Sequence, residues 1–412
     1  KIHGKYYDLT DFNHPGGDDA IWNSYGRDAT VMLEQYHPMV NKTFLETTLN
    51  RYEVPENKIM EAKKHLLPDE DNIFQFDFKS AFAQELKEEV KLHFITKAKT
   101  ESTTIRKVTK ASTSKWISVI TCLLLYFFTG LLWLQGSYIG LILFPLIQWL
   151  NFVTFHDACH FCLSDKPVIN KVFSFILPDF SFPYLWYLQH NVSHHCYTNI
   201  HKKDPDLHHA NYIVRESLST KFSFLNKYQP YLFIIKWLFY YANVIRNSFR
   251  LLWGKVYKCV YSNNVPMIHK IYPIIYFFIR YCYCYYYFQK QITYVIVPTL
   301  VFAFLSMLNI QITHLHEDTF HNESDWYKHQ VLTSSSHSIG STFGYVFSGG
   351  ANYQIEHHLF PGINHCHYPE IQPIVKSICL KHNIAYKEFH GYYDAFCSYY
   401  NHIKTLSKNK EE

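Results

Sequence analysis

Residues 116–155, WISVITCLLLYFFTGLLWLQGSYIGLILFPLIQWLNFVTF, contain no Asp, Glu, Lys or Arg. A helix needs about 20 apolar residues to cross the hydrocarbon core of a bilayer, so this run is long enough to cross twice, over 116–134 and again over 138–155. Only Gln135-Gly136-Ser137 separates the two halves, which makes them a helical hairpin. A second apolar pair, 272–288 and 292–313, repeats the arrangement around Gln289-Lys290-Gln291. Its first member carries Arg280 near the middle. An ionisable residue at that depth is expensive unless it faces protein or water, so this helix is expected to line a cavity or to have other boundaries.

The flanks orient the hairpins. Lys97, Lys99, Arg106, Lys107, Lys110 and Lys115 precede the first hairpin, its turn is uncharged, and the second turn holds one Lys. The positive-inside rule then puts both termini and the long middle segment in the cytosol. Between the pairs, 230–245 is apolar but interrupted by Lys236 and reads as interfacial. The expected fold is an α-helical integral membrane protein with four transmembrane helices and a cytosolic helical cap, occupying 115–412.

Composition agrees with a membrane protein that has large aqueous parts. Of 412 residues 48% are hydrophobic, yet the mean hydropathy is -0.16, because apolar residues are concentrated in blocks. The net charge of +5 is too mild to argue for nucleic acid, and anionic headgroups are a sufficient partner. Ten Cys lie in no regular framework, which argues against a disulfide scaffold. Cys159-x-x-Cys162 has no second CxxC to complete a zinc site.

Upstream, 1–56 is polar and dense in turn signals and reads as a small soluble α+β domain. In 57–114, Phe78, Phe82, Leu86, Val90 and Phe94 recur every four residues, giving an amphipathic helix for a membrane surface or a neighbouring element. The Lys/Ser/Thr tract 97–115 reads as a linker.

Two histidine constellations carry chemistry. In the first, His14-Pro15-Gly16-Gly17 closes the strand-like run Tyr6-Tyr7-Asp8-Leu9-Thr10-Asp11-Phe12. Asp18 then opens a short helix stopped by Gly26, and Asp28 caps a second helix ending at His37-Pro38. Two short helices each presenting one imidazole to an apolar slot suit bis-histidine haem, which transfers electrons without binding oxygen. In the second, His156-Asp157-Ala158-Cys159-His160 sits where the second span leaves the membrane. His190-Asn191-Val192-Ser193-His194-His195 follows, His314 ends the last span, and Gln354-Ile355-Glu356-His357-His358 lies near the C-terminus. Histidines at i and i+4 share a helix face. With 26 His in the chain one such pair is unsurprising, but clusters on one side of the membrane are not. Eight imidazoles are too many for one ion and about right for two.

The run from Gly4 through His37-Pro38 resembles the cytochrome b5 family in order and spacing, although residue 1 is Lys and the family's preceding strand is missing or trimmed. That resemblance makes His14 and His37 the axial ligands of a b haem. HDACH, HNVSHH and QIEHHLFP resemble the three histidine boxes of membrane fatty-acid desaturases. A glutamine opening the third box and a fused cytochrome b5 resemble the front-end group, which places a cis double bond between an existing one and the carboxyl end. The resemblance implies a di-iron site held by His156, His160, His190, His194, His195, His314, His357 and His358, with Gln354 as a weaker ligand or water holder. It also implies O2 as oxidant and electrons from NADH through a cytochrome b5 reductase. The substrate is an acyl-CoA or phospholipid acyl chain of the delta-4, -5 or -6 type, in an endoplasmic-reticulum membrane. Asp157 is expected to orient a ligating imidazole. His201, His208, His209, His316, His321, His329 and His337 stand undecided between supporting the site and lying on the surface. A sphingoid-base desaturase shares both the fusion and the glutamine box. A fatty-acid 2-hydroxylase shares the fusion and a histidine-rich di-iron centre but not the glutamine box, and a haem-binding protein without catalysis is the alternative from another class.

Overall fold

Long uncharged runs have no water to satisfy their backbone within a bilayer, so they fold as helices. In the computed structural model, which describes all residues except 69–74, 177–181, 209, 258–259, 290, 320–322 and 409–412, three helices are long and apolar enough to cross a membrane: Thr113–Leu134, Tyr138–Cys159 and Ile292–His314. A fourth helix, Met267–Tyr287, completes the second hairpin, but Lys270 and Arg280 leave it short of the same apolarity. It also starts earlier than expected. Arg280 donates to the Tyr276 hydroxyl at 2.7 Å, one turn back, so its charge is partnered along its own helix.

The first hairpin closes at Gly140, where a Cβ would lie 2.2 Å from Trp133 N. Small residues of this kind let membrane helices approach closely. The Trp133 ring then stacks on Phe144 at 4.9 Å and its indole N–H donates to Tyr294 O at 2.9 Å, tying the two hairpins together. Only 17% of the apolar window of the first span is buried by protein, against 56% in each of the other two, so the first span lies outermost.

On the basic side the spans meet a helical cap. The helix Ala81–Thr100, capped by the Ser80 side chain, buries Phe82, Leu86, Val90, Phe94 and Ala98 against Trp326–Leu332 and Tyr368–Lys381. Its apolar face therefore docks on a neighbour. The tract after it is ordered, contrary to the expectation of a linker. Thr104 caps the helix Ile105–Val108 and Ser112 caps the first span, so its Ser and Thr residues begin helices. The 230–245 region forms Gln229–Leu238 and Tyr240–Arg250. Lys236 does not face water there but is buried in an ion pair with Glu216, while Tyr231, Ile234, Ile235 and Phe239 stay exposed.

The N-terminal domain is built from Asp18–Ser24, Thr30–Tyr36, Lys42–Asn50 and Ile59–Lys63. The expected strand at Tyr6–Phe12 is reduced to one bridge, Tyr7 with Glu53, and no strand occurs among the described residues of 1–68. The chain keeps packing on this domain past residue 56, since Leu67 N donates to Gly26 O at 2.8 Å.

Candidate metal centre and haem pocket

Four segments far apart in sequence bring the eight predicted histidines together. His156 lies in the last turn of the second span and His160 caps it, its N–H donating to His156 O at 3.0 Å. His190 and His194 sit in the π-helical stretch Tyr187–His194, followed directly by His195. Single π turns of this kind recur at functional sites. Here the widened turn swings residue i+5 back toward residue i, leaving His195 Nε2 3.1 Å from His190 Nε2. His314 ends the last span, and His357 and His358 lie in the short helix Gln354–Leu359.

Their nitrogens form two groups, His156, His160, His190 and His357, and His194, His314 and His358, with ligand atoms within 4.8 Å of one another in each. His195 stands between them, 3.0 Å from His357 Nε2 and stacked on His358 at 4.2 Å. Gln354 Nε2 is 2.7 Å from His314 Nε2. A third cluster joins His194 to Asp204 and Asp206.

The donor set fits cations. Nε2 faces Nε2 at 3.0 Å for His156–His190, 3.1 Å for His358–His314 and 3.3 Å for His194–His314. A neutral imidazole has one N–H, so a ring of inward nitrogens cannot satisfy itself, and the surplus lone pairs call for positive charge. His160 Nε2 is buried with no hydrogen-bond partner among the described residues. Burial, and then the neighbouring histidines, hold His160, His190, His195, His357 and His358 well below the ordinary imidazole value, so they stay neutral. His194 goes the other way. Burial opposes its charge but Asp204 and Asp206 outweigh it, pushing it up to about 9 and fixing a proton on the Nδ1 that meets Asp204 at 3.0 Å. Trp149, Phe152, Val153, Trp186 and Ile310 line the small cavity beside these nitrogens.

Other partners of the imidazoles were not foreseen. Gln330 Oε1 accepts from His358 Nδ1 at 2.9 Å, and Tyr368 Oη lies 3.2 Å from His357 Nδ1. Asp157 contradicts its expected role. It accepts from His365 Nδ1 at 2.8 Å and from Asn364, none of the predicted eight. The reason is direction: on its helix Asp157 points away from the face shared by His156 and His160, toward the C-terminal segment. Among the undecided histidines, His329 donates to Thr198 O at 2.8 Å, and Thr198 Oγ1 is 3.1 Å from His358 Nδ1, so it supports the site. His316 and His337 are buried beside Phe389 and Tyr392 respectively. His201 is half-buried, and the side chains of His208, His209 and His321 lie outside the described residues. A sequence signal existed for Asp204 and Asp206, an Asp-Pro-Asp shortly after the second cluster, but nothing local marked Gln330 or Tyr368.

The second site is roomier. His14 and His37 face each other across a cavity of about 560 Å³, with ring centroids 5.9 Å apart. Its walls include Phe12, Ile21, Met32, Leu33, Val40 and Leu45. His37 Nδ1 donates to Leu33 O at 2.9 Å, which leaves its Nε2 lone pair for the cavity, while Gly16 N–H approaches His14 Nδ1 at 3.1 Å. The His14 ring lies over Gly16, where a Cβ would sit 2.7 Å from Cε1, and Gly17 holds φ +97. Both glycines are thus required. Burial, and next the His37 charge, lower His14 to about 4, keeping the ring neutral and able to bind metal. The pocket fits a flat apolar cofactor held by two imidazoles.

The two sites are in contact. Asp19 accepts from Tyr184 Oη at 3.0 Å and pairs with Lys171, Arg27 reaches Tyr261 O, and Tyr36 Oη lies 2.8 Å from His160 Nδ1.

Comparison with known proteins agrees on both parts. The fatty acid desaturase family model matches 131–390, and the cytochrome b5-like haem/steroid binding domain model matches 1–61. Acyl-lipid (8-3)-desaturase B of Dictyostelium discoideum is 26% identical across 100% of this chain and 91% of its own length. Delta(5) fatty acid desaturase A of the same organism is 27% identical over 100% of this chain and 90% of its own. Delta(8)-fatty-acid desaturase 2 of Arabidopsis thaliana is 27% identical over 94% and 85%.

Proposed function

The chain belongs to the cytochrome b5-fused membrane fatty acid desaturase family, and from that membership we propose that it is a front-end desaturase placing a cis double bond between an existing one and the carboxyl end of a polyunsaturated acyl chain. The observation that carries the front-end reading is Gln354, which opens the third histidine box and approaches His314 within 2.7 Å. The reading assigns the two irons to His156, His160, His190, His194, His195, His314, His357 and His358, with Gln354 as a weaker ligand or water holder. It assigns the haem to His14 and His37. The convergence of neutral inward nitrogens and the facing pair in the N-terminal pocket support these assignments. A bound iron pair would supply activation of dioxygen and hydrogen removal from an unactivated C–H bond.

The residues of the chain do the rest. Asp204 and Gln330 hold imidazoles from behind, and the aromatic wall at Trp149, Phe152 and Trp186 excludes water beside the metals and suits an acyl chain. Electrons enter from a donor protein through the haem domain, and NADH-cytochrome b5 reductase is the donor proposed. Residues 1–56 act as the haem domain, 57–114 as the connection and 115–412 as the catalytic domain. Met267–Tyr287 is the fourth span, and the Lys and Arg residues before the first span support a cytosolic active site and cytosolic termini in an endoplasmic-reticulum membrane. The names of the Dictyostelium relatives favour a lipid-borne acyl chain and the delta-5 position within the delta-4/5/6 group.

The test is expression in yeast fed defined polyunsaturated acids, with products located by gas chromatography and mass spectrometry. The expected result is a new double bond on the carboxyl side of an existing one. A new alkene only in sphingoid bases, or a hydroxyl product, overturns the front-end reading.

A further inference from the structure

Each predicted metal-site imidazole needs a partner behind it that fixes which nitrogen faces inward, and such partners are worth about 10–100-fold in metal affinity. The catalytic domain supplies four of them: Asp204 to His194, Gln330 to His358, Tyr368 to His357 and the Thr333 carbonyl to His314. His160 is different. The only group hydrogen-bonded to its Nδ1 among the described residues is the hydroxyl of Tyr36, at 2.8 Å, a residue of the haem domain. The rings lie 28° from parallel with centroids 6.4 Å apart, so the hydroxyl meets the imidazole near its own plane. His160 Nε2 is buried, without a hydrogen-bond partner among the described residues, and belongs to the cluster with His156, His190 and His357.

We infer that Tyr36 is a positioning residue of the metal centre, supplied in cis by the haem domain, whose hydroxyl oxygen holds the His160 tautomer that presents Nε2 to the metal. This rests on the assignment of His160 as a ligand made above. The chemistry is that of any ligating neutral imidazole: with Nε2 committed, the proton sits on Nδ1 and must be donated, here to the phenol oxygen. The tyrosine is held on both sides. Its ring edge packs on Phe161 at 6.1 Å, and Gly362 passes so close that a Cβ there would sit 3.4 Å from Tyr36 Cδ1. On the haem side, Tyr36 closes the helix Thr30–Tyr36 and the next residue is His37. One helix terminus therefore presents an imidazole to the haem pocket and a hydroxyl to the metal site. Docking of the haem domain and integrity of the metal site are therefore coupled through this bond. Gln35, one residue earlier, adds a second tie, its side-chain N–H donating to Asn191 O at 3.5 Å, while Asn191 bonds Cys159 O at 2.7 Å.

The test uses the full chain in detergent, loaded anaerobically with ferrous iron and titrated with a colorimetric ferrous chelator. Tyr36→Phe keeps the ring and removes only the oxygen. The expected result is ferrous affinity weakened about 10-fold at one of the two sites, with the haem absorption band unchanged. Tyr25→Phe, a partly exposed tyrosine of the same domain, should leave the affinity as in the wild type. His160→Ala separates the two readings. If it weakens iron binding while Tyr36→Phe does not, the positioning role is wrong and the ligand assignment stands. If His160→Ala leaves iron binding intact, the ligand assignment fails, and the role of Tyr36 fails with it.

Discussion

The haem pocket and the metal centre both rest on buried histidines, neutral except for His194, yet they are built on opposite plans. The pocket takes its two imidazoles from the first forty residues, where a Pro-Gly-Gly turn and a helix end face each other across about 560 Å³ of apolar space. The metal centre gathers eight imidazoles from segments between residues 156 and 358, and its nitrogens lie almost in contact. A flat macrocycle needs room and two axial groups, so local geometry suffices. Two ions need many donors at short range, which only the ends of several helices brought to one face provide. One consequence is a division of failure: the sites should be separable by mutation although they touch.

The largest effect tests that separation. His194→Ala should abolish product, a loss of at least about 100-fold, while the haem absorption band persists. His14→Ala should erase the haem band and product but leave iron stoichiometry, measured by metal analysis, unchanged. Loss of both cofactors from either variant would break the comparison.

A smaller effect sharpens it on the metal side. Asp204→Asn removes the carboxylate behind His194 without touching the haem domain. Iron affinity in a chelator titration should fall about 10–100-fold, with the haem spectrum as in the wild type. Parity of affinity between variant and wild type would mean that Asp204 orients nothing.

The interface between the two sites comes next. Asp19→Asn disturbs the buried bond to Tyr184 and the half-exposed pair with Lys171, and disrupting the buried bond costs about 1–3 kcal/mol. Thermal unfolding should show the haem domain melting earlier, and an unchanged transition would show that the domains dock without these bonds.

Smallest is an effect of pH in the cap. Glu370 is half-exposed, and although burial opposes its charge, Lys97, His367 and His93 outweigh it and lower the carboxyl to about 2. A carboxyl depressed from the ordinary 4.5 contributes stability that is complete above that value and is lost as pH falls toward 2. Wild type should therefore lose more thermal stability than Glu370→Gln between pH 5 and about 3, by an amount kept small by solvent screening. Parallel curves for the two proteins would rule out that contribution.

Much of this was legible in the chain. The uncharged run 116–155 required a membrane hairpin because an unpaired backbone cannot be left in lipid. The four-residue recurrence through Phe82, Leu86, Val90 and Phe94 announced a helix with one buried face, and the spacing of His156 with His160 put paired imidazoles on a single face, whereas the π-helical stretch turns His195 rather than His194 back toward His190. Glycines at 16 and 17 marked a turn that only they allow. Where reading failed, the cause was partnership at a distance. The Lys/Ser/Thr tract resembled a linker because capping depends on the helices that follow it. Lys236 looked like an interruption because Glu216, its buried partner, lies in another segment.

What the sequence determined by itself, then, was three of the expected spans, the inventory of imidazoles and the local turn that shapes one of the two sites, since these follow from periodicity and from short-range backbone sterics. Only the tertiary structure decided that Asp157 serves His365 rather than its neighbours, that Asp204, Gln330 and Tyr368 stand behind particular rings, and that Tyr36 of one domain meets His160 of the other. Each of these is a hydrogen bond between side chains whose directions are set by packing, and direction is not written in spacing.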